Sequence, residues 1–398
     1  TRTCPVCMGH PGTLPVANRQ ALEWTFLLGL ALNAEIAPQF NFERKQYFYP
    51  DLPKAYQITS QTTPPLIGGY LELDADGFRS PTSKDARMSD FGTNRKKRFT
   101  IEHIHLEEDA GKLIHINADS RGLSADKHGY SLVDLNRAGT PLLEIVTDPT
   151  FTTPQEAKAF MQELRLILRY LDISDADMEK GHLRADANIS IRPKGQKKLG
   201  KKTEVKNMNS FAAVEKALAY EIERQTEVLE SGGAVEQETR GWDESKQVTF
   251  SQRSKEQAHD YRYLPEPDLP PIRVEVKSEK LKVKSLGAAS PFDLGKLKQQ
   301  IPELPAEKRK RYVEELGLGK KEADILVSDV DLAKYFEEAI SDTEPPHKVI
   351  KRIANLILGD VLGYLNAHAQ MIDDFKIGEA SIWDLATKLE LGEISSRI

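Results

Sequence analysis

Cysteine is almost absent from this chain: Cys4 and Cys7 are the only two, spaced C-x-x-C near the start of 398 residues. A disulfide framework is therefore excluded. With no G-x-S-x-G elbow and no cysteine in the body of the chain, the residues argue against a nucleophilic hydrolase. Neither G-x-x-x-x-G-K-[ST] nor G-x-G-x-x-G occurs, so any ATP would be bound without a P-loop, a Rossmann turn or a kinase glycine loop. Long apolar runs are missing too. The longest, around Phe26 to Leu32, is short of the roughly 18 residues a membrane span needs, so the expectation is a soluble protein with no membrane partner. A one-sided charge is also lacking: 55 basic residues face 61 acidic ones, a net charge of -6. Contact with a polyanion would have to rely on local patches.

What is present is length enough for two or three domains and 39% hydrophobic residues to build their cores. The opening Thr1-Arg2-Thr3-Cys4-Pro5 has no initiating Met and no basic segment leading into an apolar one, which suggests a cropped N-terminus. Apolar spacing predicts a helix over 17–36 stopped by Pro38, then a loop-rich β region from Asn41 to Leu73. Further strands are expected at 98–106, 113–117 and 142–147. Thr153-Pro154-Gln155-Glu156 reads as a helix start, with Phe160, Leu164, Ile167, Leu168 and Leu171 as its buried stripe. Strands at 186–192 and 202–208 precede a helix from Ser210 to about Ser231, ended by Gly232-Gly233. Beyond the proline-rich 265–271 the pattern becomes helical, with helices near 306–316, 319–328, 330–340, 346–367 and 379–390. The fold class expected is α+β: a β-rich body over 1–280, a helical domain over 281–372, and the start of a further domain over 373–398.

Several charged residues stand where a merely structural role is hard to supply. Glu107-Glu108-Asp109 end a strand pattern with three successive carboxylates, a like-charge cluster that a divalent cation would relieve. Glu144 interrupts an apolar strand, and Asp186 and Glu204 alternate with small or apolar neighbours. Glu108, Glu144, Asp186 and Glu204 could converge on one hard cation such as Mg2+. Carboxylates on an open antiparallel face are also ordinary surface groups. Arg137, Arg184 and Lys206 lie near them in sequence, Lys45 and Lys54 flank Tyr47-Phe48-Tyr49-Pro50-Asp51, and cations beside metal-binding carboxylates suit phosphoryl transfer, though they also suit surface ion pairs. Cys4 and Cys7 supply half of a tetrahedral Zn2+ site or stand unmetallated. Two basic runs, Arg95-Lys96-Lys97-Arg98 and Lys194, Lys197, Lys198, Lys201 and Lys202, fit either RNA contact or solvated hairpin tips.

The blocks CPVCMGHPGTLPVAN (4–18), RKQYFYPDLPKAYQITSQ (44–61), HIHLEEDAGK (103–112), SLVDLNRAGTPLLEIVTDP (131–149), KGHLRADANISIRP (180–193), KTEVKNMNSFAAVEKAL (202–218), QETRGWDE (237–244) and RSKEQAHDYRYLPEPDLPP (253–271) cover almost the whole body. Together they resemble the B-subunit family of the glutamyl/aspartyl-tRNA amidotransferases. The resemblance implies a catalytic cradle, a helical domain and a tail that holds tRNA. It implies ATP-dependent phosphorylation of the side-chain carboxylate of Glu-tRNA(Gln) or Asp-tRNA(Asn), followed by displacement of phosphate by ammonia. The chain itself is not expected to hydrolyse glutamine. The ammonia would come from an amidase-type A subunit, with a small C subunit strapping the two together in the cytoplasm or an organellar matrix. By the same resemblance the Mg2+ ligands fall on Glu108, Glu144, Asp186 and Glu204; Lys45, Arg137, Arg184 and Lys206 are the catalytic cations expected from the residues themselves. Lys308, Arg309, Arg311, Lys348, Lys351 and Arg352 would contact tRNA phosphates.

The family's Glu-x-His strand and its C-x-C pair would precede Thr1, and its tail would extend past Ile398. Ala185 and His182 stand where relatives often carry Cys and Ser. Two other readings remain open from the residues: a free-standing ATP-dependent ligase of a small carboxylate, and an RNA-binding scaffold without chemistry.

Overall fold

A computed structural model describes residues 3–74, 96–116, 130–254, 261–274, 291–341 and 346–395. They form two compact units, the first from Thr1–Phe160 with Met178–Gln300, the second from Met161–Asp177 with Ile301–Ile398. The boundary expected near residue 280 falls outside the described residues.

The first unit opens with helix α1 (Arg19–Ala31), whose N-cap Asn18 accepts from the Ala21 amide. The helix is shorter than its apolar pattern because Asn33 takes a left-handed backbone, φ 57°; the chain has turned well before Pro38. Strands β1 (Glu35–Ile36), β2 (Gln39–Phe40), β3 (Glu43–Gln46), β4 (Tyr56–Thr59), β5 (Leu66–Ile67), β6 (Tyr70–Asp74), β7 (Lys96–Glu108), β8 (Lys112–Ile116), β9 (Tyr130–Asp134) and β10 (Pro141–Thr147) follow. Helix α2 (Pro154–Tyr170), which belongs to the second unit from Met161 onward, β11 (Ala187–Ile189), β12 (Thr203–Lys206), α3 (Phe211–Glu230), β13 (Glu238–Asp243), β14 (Val248–Ser254), β15 (Leu264–Pro265), β16 (Ile272–Arg273) and α4 (Leu294–Gln299) come next.

The larger sheet runs β1-β5-β7-β4-β3-β15, and β6 and β10 also pair with β7. β7 is thus the hub. Along its first half burial alternates, with Phe99 and Ile101 inside. From Ile104 to Glu107 every residue is buried, because here the strand is covered on both faces. Phe99 stacks on Phe151 at 4.9 Å and meets Phe160 edge-on at 6.1 Å, which ties the hub to the start of α2. The last strands close the first: β15 pairs antiparallel with β3, and β16 with β2. Arg44 on β3 forks onto the buried Glu266 at 2.8 and 3.0 Å. The second sheet is β11-β12-β13-β14. Its β12–β13 pair is parallel, as a crossover through α3 requires.

The second unit is helical: α5 (Pro305–Glu314), α6 (Lys320–Val327), α7 (Val330–Ala339), α8 (His347–Leu356), a π-helical turn at Ile357–Val361, α9 (Leu362–His368) and α10 (Glu379–Leu391). Tyr312, Leu326, Phe336 and Ile353 are wholly buried and share one core with Ile382 and Ala386 of α10. Among the described residues no helix is long and apolar enough to cross a membrane.

Candidate active site

On β7 the side chains of His103, His105 and Glu107 share one face, two residues apart. The β7–β10 register sets Glu144 directly opposite His105. His105 is fully buried and stacks on His103 at 5.3 Å. Its Nε2 lies 3.8 Å from Glu107 Oε2 and 3.8 Å from Glu144 Oε2. One ligand atom from each of the three falls within 4.8 Å of the others, and no other group of three such residues occurs among the described residues. Both ring nitrogens of His105 and Oε2 of Glu107 are buried without a hydrogen bond. A buried carboxylate and imidazole with unspent lone pairs are costly unless a cation takes them up. One nitrogen and two oxygens form a donor set that can take a divalent ion.

The four carboxylates expected to converge do not gather here; only Glu144 does. Pleating turns Glu108 to the opposite face, where Oε1 takes the Lys54 ammonium and the Ile58 amide at 2.8 Å. Glu204 and Lys206 stand on β12 of the second sheet and Asp186 immediately precedes β11; Lys206 Nζ is 2.7 Å from Asp186 and 3.3 Å from Glu204. Thr239 Oγ1 donates to the other oxygen of Glu204 at 2.8 Å. Burial opposes the Lys206 charge, but the Asp186 hydrogen bond and both carboxylates win and raise its pKa. The residues that sequence reasoning did not name as ligands are His105 and Glu107. Their signal was the period-two spacing His103-x-His105-x-Glu107, which puts Glu107, not Glu108, on the face of the histidines.

The expected catalytic cations are dispersed around this hub. Arg137 reaches Asp109 Oδ2 at 3.1 Å, and donates to the carbonyls of Ala110 and Gly111. Arg184 meets the same Asp109 oxygen at 2.8 Å. Lys45 lies over the Tyr261 ring, 5.0 Å from its centre. Burial first, then the nearby Asp51 and Glu107, pushes the Tyr47 hydroxyl up to about 12, and burial does the same for Tyr263. Both phenols stay protonated at neutral pH, and Tyr263 donates to Gln61 Oε1 at 2.8 Å.

Cys4 and Cys7 face each other at 3.3 Å, and the Cys7 amide donates to the Cys4 sulfur at 3.4 Å. That amide lowers the Cys4 thiol pKa. Burial, helped by the Cys4 sulfur, pushes the Cys7 thiol up to about 11. The pair can supply two of four zinc ligands, and no third joins them among the described residues.

The basic residues expected to bind RNA divide into two sets. Arg309 forks onto Glu163 at 2.9 and 2.7 Å, Lys308 holds Glu337 at 2.6 Å, and Arg311 takes Glu303 at 2.7 Å together with Glu337. These three are consumed in ion pairs inside the second unit. Arg352 meets Glu390 at 3.3 Å. Lys348 and Lys351 are exposed, as are Lys194, Lys197, Lys198, Lys201 and Lys202 in the β11–β12 connection. Of the other basic run, Lys97 binds Glu156 and Arg98 binds Glu72, and Arg95 lies outside the described residues.

The family description "GatB/GatE catalytic domain" matches residues 1–280. The aspartyl/glutamyl-tRNA(Asn/Gln) amidotransferase B-subunit of Crocosphaera subtropica is 47% identical over all of this chain and 74% of its own length. Its counterparts in Carboxydothermus hydrogenoformans and Trichormus variabilis are 45% and 46% identical, again over the whole chain and 74% of the relative.

Proposed function

The chain belongs to the B-subunit family of the tRNA-dependent aspartyl/glutamyl amidotransferases, with the family's catalytic domain over residues 1–280, and from that premise we propose how its first unit carries the ligase chemistry. A side-chain carboxylate oxygen of Glu-tRNA(Gln), Asp-tRNA(Asn) or both attacks the γ-phosphorus of ATP. ADP departs, and the carboxylate becomes an acyl phosphate. Ammonia then attacks the acyl carbon, a proton is lost, and inorganic phosphate leaves to give the amide. His105, Glu107 and Glu144 would hold the divalent cation, which supplies charge neutralisation on phosphoryl oxygens. Arg137, Arg184 and Lys206 offer charge to the transferring group, the part that positioning and electrostatics play in phosphoryl transfer. Lys45 and the Tyr261 ring flank the same sheet and help orient the incoming nucleotide.

One observation carries this reading: a buried imidazole and carboxylate with unspent ligand atoms, next to an exposed carboxylate, on the strand that organises the whole catalytic unit. Cys4 and Cys7 are proposed as half of a structural zinc site. The tRNA phosphates are assigned to Lys348, Lys351 and the lysine-rich β11–β12 connection, in place of the internally paired Lys308, Arg309 and Arg311. Ammonia is assigned to a glutaminase A subunit, held to this one by a small C subunit, in the cytoplasm.

ATP hydrolysis by the assembled complex tests the proposal. Mischarged tRNA should stimulate it, and uncharged tRNA should not. Hydrolysis driven by a free amino acid alone would favour a small-metabolite ligase, and no cation-dependent hydrolysis at all would leave only a scaffold.

A further inference from the structure

Asp109 is the first residue after β7, and its carboxylate is nearly buried, 11% exposed. Its backbone is fixed on both sides: its amide donates to the Thr140 carbonyl at 2.8 Å, and its carbonyl accepts the Gly139 amide at 2.9 Å. One oxygen, Oδ2, then receives two guanidiniums from different parts of the unit. Arg137 comes from the turn between β9 and β10, and Arg184 from the segment leading into β11 on the second sheet. Two cations on one carboxylate leave a net positive charge. The two arginine side chains are 41% and 51% exposed, so that charge reaches solvent while the carboxylate does not. Arg137 is further held by the carbonyls of Ala110 and Gly111, so its plane is set before any ligand arrives.

We propose that Asp109 is a positioning residue that pre-sets Arg137 and Arg184 as a two-armed clamp for the phosphoryl group in transfer. This rests on the ligase reading above and deepens it. The carboxylate never touches the substrate. It fixes two flexible side chains from two sheets at one point, which lowers the ordering cost of binding a tetrahedral, doubly charged group. A purely structural ion pair would need one arginine; a second, half-exposed one adds repulsion that an incoming anion relieves.

The test uses the full complex with its partner subunits and mischarged tRNA, measuring ATP cleavage. Asp109→Asn should lower kcat about 100-fold, the scale of losing a preorganised donor to a transition state, with the KM for ATP changed much less. In an Arg184→Ala background the same substitution should cost less than about fivefold more, because the two act as one unit. Glutaminase activity of the complex should be unchanged. Normal kcat in Asp109→Asn, or losses that multiply in the double variant, would overturn the proposal. If Asp109→Asn does not fold, Asp109→Glu carries the test, since it keeps the charge but displaces both guanidiniums; an undiminished kcat there also overturns it. Failure of the ligase reading looks different, since the unsubstituted complex would then show no tRNA-dependent cleavage.

Discussion

Glu144 on β10 sits directly across from His105 on β7, with Oε2 3.8 Å from the ring Nε2. Closure on a cation is the expected use of that gap. Titration of the protein with Mn2+, followed by the loss of its free paramagnetic signal, should show Glu107→Gln and Glu144→Gln weakening binding by at least about tenfold, with Glu108→Gln within about twofold. A Glu108 variant as damaging as the Glu144 one would return Glu108 to the ligand set.

The two thiols should differ in reactivity when no metal is bound. Only the thiolate is alkylated, and a Cys7 thiol at about 11 is ionised roughly one part in a thousand at pH 8. Cys4, held below its ordinary value by the Cys7 amide, should react with iodoacetamide first. Raising the pH toward 11 should bring Cys7 up to it. Peptide mass spectrometry resolves the two sites, and equal rates at pH 8 would sink the assignment.

Basic residues of the second unit should separate into stability and binding. Arg309→Ala strands the nearly buried Glu163 carboxylate and should cost about 3 kcal/mol in urea denaturation. Lys348→Glu with Lys351→Glu should leave stability within about 0.5 kcal/mol. The pair should nonetheless weaken tRNA binding and flatten its salt dependence. Unaltered tRNA affinity would remove α8 from the RNA surface.

Gly139 should resist substitution. Its φ is +76°, and an added Cβ would collide with the Cys7 sulfur. Gly139→Ala should therefore destabilise the first unit by at least about 1 kcal/mol, with faster alkylation of Cys7 as the C-x-x-C turn loosens. Thermal denaturation and the same alkylation assay check both.

Sequence pattern located elements with strong local signals. The start of α2 was legible from Thr153-Pro154-Gln155-Glu156, and there the Glu156 carboxylate does accept from the Thr152 and Thr153 amides. The helix at 211–230 was legible from Ser210, whose hydroxyl caps Ala213. Long-range pairing was not legible. β13 and β14 carry Arg240 and Thr249, which satisfy the buried Glu221 of α3, a partnership set by tertiary contact and not by period. The site divides the same way. Glu144 was visible as a carboxylate inside an apolar strand, and period two could have set Glu107 on the face of His105, whereas bringing Glu144 opposite them required the register of β7 against β10. The charge of Arg309 and Arg311 was visible, but their partners Glu163 and Glu303 lie 146 and 8 residues away, and only the fold makes those distances small.

The pairing of β3 with β15 has a consequence for how the protein is made. Arg44 and Glu266 are 222 residues apart in the chain, so at about 5–20 residues per second a ribosome needs roughly 10–45 s to deliver the second after the first. Throughout that interval the outer edge of β3 has no strand to pair with, and an open edge recruits other chains. Polypeptides released before residue 266 carry the hub strand and both candidate clusters yet keep that edge open. Aggregation and proteolysis should therefore remove interrupted translation products before they can enter the complex as defective subunits.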